Sequence, residues 1–461
     1  MKIDVLVAEI GSTTTVVNAF TDINAKTPMF YGQGQAPTSV LDGDVRIGLG
    51  RAIDDLCRKK GISNIEYEQM FATSSAAGGL KMTVHGLVYD MTAKAAKEAA
   101  LGAGGIIHFI TAGRLRRTDL KKILEIQPNL ILIAGGVDYG ERETAIYNSE
   151  MIRNLNLNIP VIYAGNCENR DEVGLIFDEE SGIKLYVVDN VYPKIDDLNV
   201  EPCRKIIQDA FEDHIIHAPG MEHIRDIVTG PIIPTPGAVM ECTKLLSGCI
   251  GNVITLDVGG ATTDLHSVTE DGEQISKILI HPEPKGKRTV EGDLGVFVNM
   301  ANIVNLIGEK RLQEELPDID VKSIMKSYNA IPKTPEEIRF VERLTKEAVC
   351  QAVERHAGRI RYIYGPSGRT TVAEGKDLTQ VKYIVGTGGA LTRLPARVEI
   401  IKEITKHDQT GLLLFPGEHA EILIDNDYNM ASLGVLSLKY KDAAVKLLEE
   451  SLQVEFSKLK I

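Results

Sequence analysis

The sequence predicts an α/β protein built from two similar lobes that face each other across a cleft. Two segments about 245 residues apart each consist of a strand, an acid, a glycine turn, hydroxyl residues and a second strand. Between them, strand and helix patterns alternate, which is typical of a parallel sheet with crossover helices. The repeated hairpin and the alternation together favour two α/β lobes with an additional αβ block.

The clearer hairpin spans residues 254–265, with the sequence ITLDVGGATTDL. Its apolar run ends at Asp257, and Gly259 and Gly260 form a turn in which backbone N–H groups can approach an anion. Asp264 begins the next apolar run. A carboxylate beside such a turn can hold Mg²⁺ through its water ligands. The pattern therefore predicts a hairpin that binds phosphate groups and a metal ion.

The other hairpin lies at the start of the chain, in residues 3–20. Here the first strand ends at Glu9, and Gly11, Ser12 and Thr13 supply the turn. Taken alone, this turn is explained equally well as an ordinary Ser/Thr-rich β-turn. Its likeness to the second hairpin favours a phosphate-binding role.

A third glycine-rich turn follows the strand pattern at residues 382–386. Gly386, Gly388 and Gly389 leave a backbone bare enough to lie against a nucleobase and a ribose. A Gly-x-Gly-Gly sequence alone is weak evidence, because many strand–helix turns look similar. We expect an adenosine site here only because the two hairpins accompany it.

Composition excludes several functional classes. The chain has 461 residues, a net charge of −13, no Trp and 5% aromatic residues, which argues against nucleic-acid binding. No apolar run is long enough to cross a membrane, and the N-terminus enters a strand directly, so a cytoplasmic protein is expected. The six scattered cysteines do not form a disulfide or zinc pattern.

The domain prediction has three parts. Residues 1–250 form the first lobe, with the αβ block inserted at about 90–235. Residues 251–430 form the second lobe. Residues 431–461 form a C-terminal helix that packs at the hinge or back on the first lobe.

Local composition predicts two connections and one long helix. The Pro- and Gly-rich residues 219–236 are expected to be a loop or an inter-element connection that ends in a helix start at Pro236. The charged residues 283–295 are expected to be a loop. Residues 431–452 are expected to form one continuous helix, and the small residues at its start predict close packing against another helix.

Four elements stand in a fixed order that resembles the actin, Hsp70 and sugar-kinase ATPase superfamily. They are the hairpin at 9–13, the small-residue helix 237–246 leading into the hairpin at 257–264, the glycine turn at 386–395, and the helix start at 431–435. The resemblance implies two actin-like (ribonuclease H-like) lobes around an ATP cleft, with ATP and Mg²⁺ as cofactors.

More narrowly, nearly the whole chain resembles the glutamate mutase accessory family, called MutL, a name shared with an unrelated mismatch-repair protein. This resemblance rests on Val5–Phe20, on the segment RTVEGDLG at 288–295 and on overall length. It implies an ATP-dependent reactivating chaperone that exchanges damaged cobalamin in an adenosylcobalamin-dependent mutase. The expected partners are mutase subunits, and self-association stays open.

The hairpin chemistry and the superfamily resemblance together give expected roles to named residues. The acids expected to act in catalysis are Glu9, Asp257, Asp264 and Glu291. A strand-end cap explains Asp264 equally well, and Asp293 is an alternative to Glu291, because both lie in the glycine-flanked loop after the second hairpin. Glu9 and Asp257 would hold Mg²⁺ through water. The residues expected to bind the nucleotide are Gly11, Ser12, Thr13, Gly259, Gly260, Ala261, Thr262, Gly386, Gly388 and Gly389. The superfamily usually has Asp at the position of Glu9, so the metal geometry would differ, and the rate of hydrolysis stays open.

Three other functions remain open from the sequence. A metabolite kinase or an ATP-dependent amidohydrolase of the same superfamily would need an acceptor site, and no sugar-binding constellation is evident. An actin-like filament protein would sediment in the presence of ATP. An iron–sulfur activator ATPase would need bridging cysteines in register, and no Cys lies near the hairpins or the hinge loops in the expected way.

Overall fold

The computed structural model describes residues 1–11, 14–40, 42–75, 80–327, 329–365, 368–406 and 410–459. Within these residues the strands are β1 (Lys2–Ile10), β2 (Thr14–Thr21), β3 (Met29–Pro37), β4 (Glu66–Ser74), β5 (Lys81–Gly86), β6 (Ile106–Ala112), β7 (Leu130–Ile133), β8 (Val161–Tyr163), β9 (Leu185–Val187), β10 (Ile232–Pro234), β11 (Val253–Val258), β12 (Thr263–Val268), β13 (Gly286–Glu291), β14 (Arg359–Gly365), β15 (Gly368–Glu374), β16 (Tyr383–Thr387) and β17 (Glu421–Ile424). The α-helices are α1 (Val45–Lys60), α2 (Lys94–Gly102), α3 (Arg117–Ile126), α4 (Glu143–Arg153), α5 (Arg170–Ile176), α6 (Glu201–Ile215), α7 (Thr235–Ile250), α8 (Glu273–Ser276), α9 (Met300–Ile307), α10 (Glu309–Glu315), α11 (Val321–Ser327), α12 (Pro335–His356), α13 (Gly388–Arg393), α14 (Arg397–Lys402), α15 (Met430–Ser437) and α16 (Lys441–Leu452).

Two five-stranded sheets share one topology. The first has the order β10-β4-β1-β2-β3, and the second has the order β13-β12-β11-β16-β17. In each, three consecutive antiparallel strands are followed by two strands that run parallel to the first. This repeated order is the ribonuclease H-like arrangement of the actin superfamily, so the predicted fold class is confirmed.

The central strands of both sheets are almost continuously apolar because protein covers both of their faces. In β1 the residues from Val5 to Ala8 are buried, and in β11 so are those from Val253 to Leu256. Burial on both faces removes the alternation of a half-exposed strand. Each sheet therefore sits inside its own hydrophobic core.

A third sheet forms the extra αβ block. All its strands are parallel, and their order is β6-β5-β7-β8-β9. Crossover helices connect the strands, as the alternating pattern predicts. The alanine-rich helix α2 contributes Ala95, Ala96, Ala99 and Ala100, fully buried, to the same core as β1. The block and the first sheet thus share one core.

The chain forms two compact units. One contains Met1–Glu241 and Ala431–Ala444, and the other contains Cys242–Met430 and Val445–Ile461. Within the described residues, no helix is long and apolar enough to cross a membrane.

Three local predictions were wrong. The region predicted as a loop at 283–295 contains β13. Its charged residues are not typical of a strand, and they are buried here because they form ion pairs, such as Lys287 with Glu283 at 3.0 Å. The connection at 219–236 contains β10, a three-residue strand that ends at Pro234. The continuous helix predicted at 431–452 is two helices, α15 and α16, separated by residues 438–440.

The predicted close packing at the start of that region is confirmed. Gly434 of α15 lies so near α7 that an added Cβ would overlap the carbonyl oxygen of Ala238. Both residues belong to the first unit. The small side chains therefore allow two helix backbones to touch.

Candidate functional site

The β11–β12 hairpin has the strand–turn–strand form that its sequence predicts. Asp257 pairs directly with Asp264, and Val258 pairs with Thr263. The N–H group of Gly259 donates to the carbonyl oxygen of Thr262 at 2.9 Å, which closes the turn. The turn therefore brings two carboxyl groups side by side at its base.

Residues that follow β13 hold the outer side of this turn. The N–H groups of Phe297 and Val298 donate to the carbonyl of Gly260 at 2.9 and 2.7 Å. The Asn299 amide donates to the carbonyl of Ala261 at 2.8 Å. In the described part of the chain, the N–H groups of Gly260 and Ala261 have no acceptor. The turn thus fixes its carbonyls and leaves two donors for an anion.

The two carboxyl groups differ in their surroundings. Asp264 is buried and receives a hydrogen bond from Arg288 Nη2 at 2.9 Å, and Arg288 itself is 2% exposed. Thr262 Oγ1 also donates to Asp264, at 3.2 Å. Asp257 is partly buried. Burial, followed by repulsion from Asp264, raises the pKa of Asp257 to about 7, although Arg288 opposes the rise. A cation beside Asp257 would relieve this repulsion.

Glu291 ends β13 and is bound to an arginine of α12. Arg355 Nη1 donates to Glu291 Oε2 at 2.7 Å, and the same guanidinium holds both carboxylate oxygens of Asp293 at 2.7 and 2.9 Å. Burial raises the pKa of Glu291, whereas the hydrogen bond from Arg355 lowers the pKa of the more exposed Asp293. Glu291 is therefore the better proton acceptor of the two.

The glycine turn at 386–389 lies directly beside Asp257. Strand β16 is the parallel neighbour of β11, with Thr387 opposite Asp257. Gly388 has a φ of +82°, and an added Cβ would overlap Asp257 Oδ1 and lie 2.6 Å from Val258 N. Nothing lies within 4 Å of a Cβ at Gly389, and Gly386 is packed against Ile401 and Ile424. Only glycine fits position 388.

Sequence reasoning missed one acid of this unit. Asp425 is fully buried and accepts a hydrogen bond from Thr387 Oγ1 at 2.8 Å. It also accepts from Ser451 Oγ at 2.7 Å and from the N–H of Met430 at 3.1 Å. The sequence does contain a signal for this residue. Asp425 directly follows an apolar strand, β17, just as Asp257 follows the apolar residues of β11. Asp425 fixes the hydroxyl that lies next to Asp257.

The first hairpin repeats the geometry of the second. Glu9 pairs with Val16, at the place where Asp257 pairs with Asp264. The N–H of Gly11 donates to Thr14 O at 2.9 Å, as Gly259 does to Thr262. Thr38 Oγ1 donates to the carbonyl of Gly11 at 2.7 Å. This hairpin therefore carries one acid where the second carries two.

Two predicted residues of the first hairpin, Ser12 and Thr13, lie outside the described residues. Glu9 is partly buried at the end of β1.

The described residues suit a magnesium ion that keeps most of its water ligands. The described residues contain no group of three or more His, Cys, Asp or Glu side chains that could hold a metal directly. Mg²⁺ keeps several waters and commonly uses one or two carboxylates. Asp257 is such a carboxylate, and a bound cation would favour its ionised form, which burial and the neighbouring Asp264 disfavour. The donor set thus suits a hydrated divalent cation.

Comparison with solved structures gives matches along almost the whole chain. The diol dehydratase-reactivating factor in nucleotide-free form is 12% identical, with a TM-score of 0.38, covering 96% of this chain and 100% of that one. The glycerol dehydratase reactivase is 12% identical, with a TM-score of 0.33, covering 94% and 99%.

Sequence comparison gives a closer relationship. The family model described as "MutL protein" matches residues 5–452. The curated "Protein MutL" of Clostridium tetanomorphum is 36% identical over 429 residues, which cover 90% of this chain and 92% of that protein. On these two matches, the chain belongs to the MutL family, the glutamate mutase accessory family.

Proposed function

We propose that this chain is an ATP-binding and ATP-hydrolysing chaperone that reactivates an adenosylcobalamin-dependent mutase by promoting the exchange of damaged cobalamin. The client would be glutamate mutase or a related aminomutase. The observation that best supports ATP binding and hydrolysis is the turn after β11. This turn offers the N–H groups of Gly260 and Ala261 as donors, and the pKa of Asp257 at its base is raised. Membership of the MutL family supports the client class.

Phosphate oxygens would be bound by the N–H groups of Gly260 and Ala261. Both donors are available, whereas the N–H of Gly259 is used inside the turn. In the first hairpin the N–H of Gly11 is used in the same way, so the proposed donors there are Ser12 and Thr13. Backbone donors held in a rigid turn stabilise phosphate charge without reorganising.

The metal would be held by Asp257, with Glu9 as the acid of the first hairpin, through water in both cases. Bound Mg²⁺ neutralises phosphate charge and orients the phosphoryl group. Asp264 has another role in this proposal. Its contact with Arg288 makes it a positioning residue that keeps Arg288 next to Asp257.

The adenosine would lie against the turn formed by Gly386, Gly388 and Gly389. The first two are closely packed, which fixes the backbone at the carboxyl end of β16. In parallel sheets, ligands bind at this end of the strands.

We assign Glu291 the task of orienting the attacking water. The Glu291→Gln variant keeps the shape of the side chain and the contact with Arg355. It should lower ATP turnover by about 10²-fold or more, with unchanged ATP affinity. Asp293→Asn, which alters a neighbouring carboxylate on the same arginine, is the matched control and should stay within about threefold of wild type. Equal loss in both variants would remove Glu291 from this role.

The chaperone function is tested by a reactivation assay. Inactivated mutase is incubated with the chain, MgATP and fresh adenosylcobalamin, and the return of mutase activity is followed. Recovery should require hydrolysable ATP. ATP hydrolysis without recovery of any candidate mutase would refute the chaperone function.

The ATPase assignment has its own test. Asp257→Ala should abolish Mg²⁺-dependent ATP turnover, because it removes the carboxylate proposed to hold the hydrated metal. An unchanged rate would contradict that role. Phosphate release by the wild-type chain without any acceptor molecule would also separate an ATPase from a metabolite kinase.

A further inference from the structure

Strands β14 and β15 form an antiparallel pair that belongs to none of the five-stranded sheets. We call residues 359–365 and 368–374 the ribbon. Its base is anchored by backbone hydrogen bonds of 2.7 Å, from Ile360 N to Leu412 O and from Ala373 N to Ile278 O. Beyond this base, the two strands pair only with each other in the described residues. The outer part of the ribbon therefore projects from its anchored end.

The projecting part carries large side chains in solvent. Tyr362 is 43% exposed, Ile363 is 51% exposed and Tyr364 is 76% exposed. An isolated two-stranded hairpin is marginally stable in water, and these side chains gain little from burial within this chain. Tyr362 and Tyr364 share one face of the strand, and Ile363 lies on the other. Large exposed apolar and aromatic side chains grouped on one element are typical of an interaction surface.

One face of the ribbon is already ordered for contact. Tyr364 pairs across the strands with Arg369, and Tyr362 pairs with Thr371. The Arg369 guanidinium lies over the Tyr362 ring, 4.5 Å from its centroid. The stack holds a cation and an aromatic ring in a defined arrangement, which lowers the entropy lost on binding. Tyr and Arg are also the residue types that contribute most to protein interfaces.

The charge of the ribbon is opposite to that of the chain. The ribbon contains one acid, Glu374, and three arginines, Arg359, Arg361 and Arg369. The whole chain, in contrast, has a net charge of −13. Arg361 pairs with Glu374 at 2.6 Å, so the other two arginines carry the excess charge. A basic ribbon selects an acidic surface. Two copies of this acidic chain repel each other over longer distances, which favours a different protein as the partner.

We propose that the ribbon is a docking arm for an acidic patch on the client mutase, with Tyr364 and Arg369 as its main contacts. The inference rests on the proposed chaperone function and adds the surface through which the client is bound.

The experiment compares binding of purified mutase by the full-length wild-type chain and by two ribbon variants. Tyr364→Ser should weaken binding about tenfold or more at all salt concentrations. Arg369→Gln should weaken binding at low salt and reduce its salt dependence, because a screened charge is lost. The matched controls are Ile331→Ser, 49% exposed, and Lys310→Gln, with a side chain 93% exposed, which should bind as wild type.

Thermal melting and ATP binding should be unchanged in the ribbon variants, so a lost interaction is not a folding defect. If the wild-type chain and both ribbon variants bind and reactivate the mutase equally well, the proposal that the ribbon is a docking arm is wrong. The proposed chaperone function is then unaffected. If the wild-type chain reactivates no mutase, the proposed function fails first. Sedimentation showing a dimer that depends on Tyr364 would overturn the client as the partner.

Discussion

Replacing Asp257 by Asn removes one negative charge from the acid pair of the second unit and keeps the shape of the side chain. In the metal-free protein the pKa of Asp257 is raised from its ordinary 3.8 to about 7, with burial as the main cause and Asp264 as the next. The ionised form is therefore disfavoured in the folded state. Asn avoids this cost, so we expect Asp257→Asn to stabilise the metal-free protein.

The magnitude follows from the change in proton affinity. Each factor of ten is worth about 1.4 kcal/mol, so ionising Asp257 costs the folded state up to about 4 kcal/mol above pH 7. Because the folded pKa is the higher one, wild-type stability falls as the pH rises from about 4 to about 7. The advantage of the variant should therefore shrink by about 2–3 kcal/mol between about pH 8 and about pH 5.

The matched control is the same chemical change at the paired residue. Asp264→Asn removes the charge of the carboxylate that accepts the hydrogen bond of the buried Arg288 guanidinium, which costs about 3–5 kcal/mol. Two carboxyl-to-amide changes at directly opposed positions should thus have opposite signs. The assay is urea-induced unfolding in EDTA at two pH values, repeated with MgATP, where wild type should gain stability and Asp257→Asn should gain much less.

Two results would refute this reasoning. One is a change of the same sign in Asp257→Asn and Asp264→Asn above pH 7. The other is a difference in the free energy of unfolding between Asp257→Asn and wild type that does not depend on pH. Ionisation of Asp257 would then not destabilise the folded state.

Two glycine substitutions test the packing around the site and between helices. Gly388→Ala should destabilise the chain by about 2 kcal/mol or more, because φ is +82° and the Cβ would meet β11, whereas Gly389→Ala, with open space, should be neutral or slightly stabilising in the same thermal melts. Gly434→Ala should lower the free energy of unfolding by about 2 kcal/mol or more, because its Cβ meets a neighbouring backbone. Gly248→Ala in α7, with nothing within 4 Å, should raise it by about 0.5–1 kcal/mol; equal effects would contradict the packing explanation.

Local sequence predicted the hairpins well because their chemistry is local. An apolar strand, an acid and a glycine turn lie within about ten residues of each other, and a turn depends on the residues that form it. The αβ alternation of the block was predicted for the same reason. Strand β13 was missed, since its charged residues do not alternate with apolar ones and become intelligible only with their partners.

The role of Gly388 marks the limit of this reasoning. The Gly-x-Gly-Gly sequence predicted a bare backbone, but the need for glycine comes from Asp257 and Val258 on the neighbouring strand. The ribbon shows the same limit. Its position in the chain does not indicate that Tyr364 is exposed, because that exposure depends on which other segments pack against it.

The sequence by itself determined the repeated hairpin, its two acids and the family to which the motifs point. Only the tertiary structure decided that Asp264 is bound to Arg288, that Asp425 accepts a hydrogen bond from Thr387, and that burial and Asp264 raise the pKa of Asp257. These relations join residues on different strands. Strand order and register bring them together, and both are set by burial of the whole sheet, which no single segment encodes.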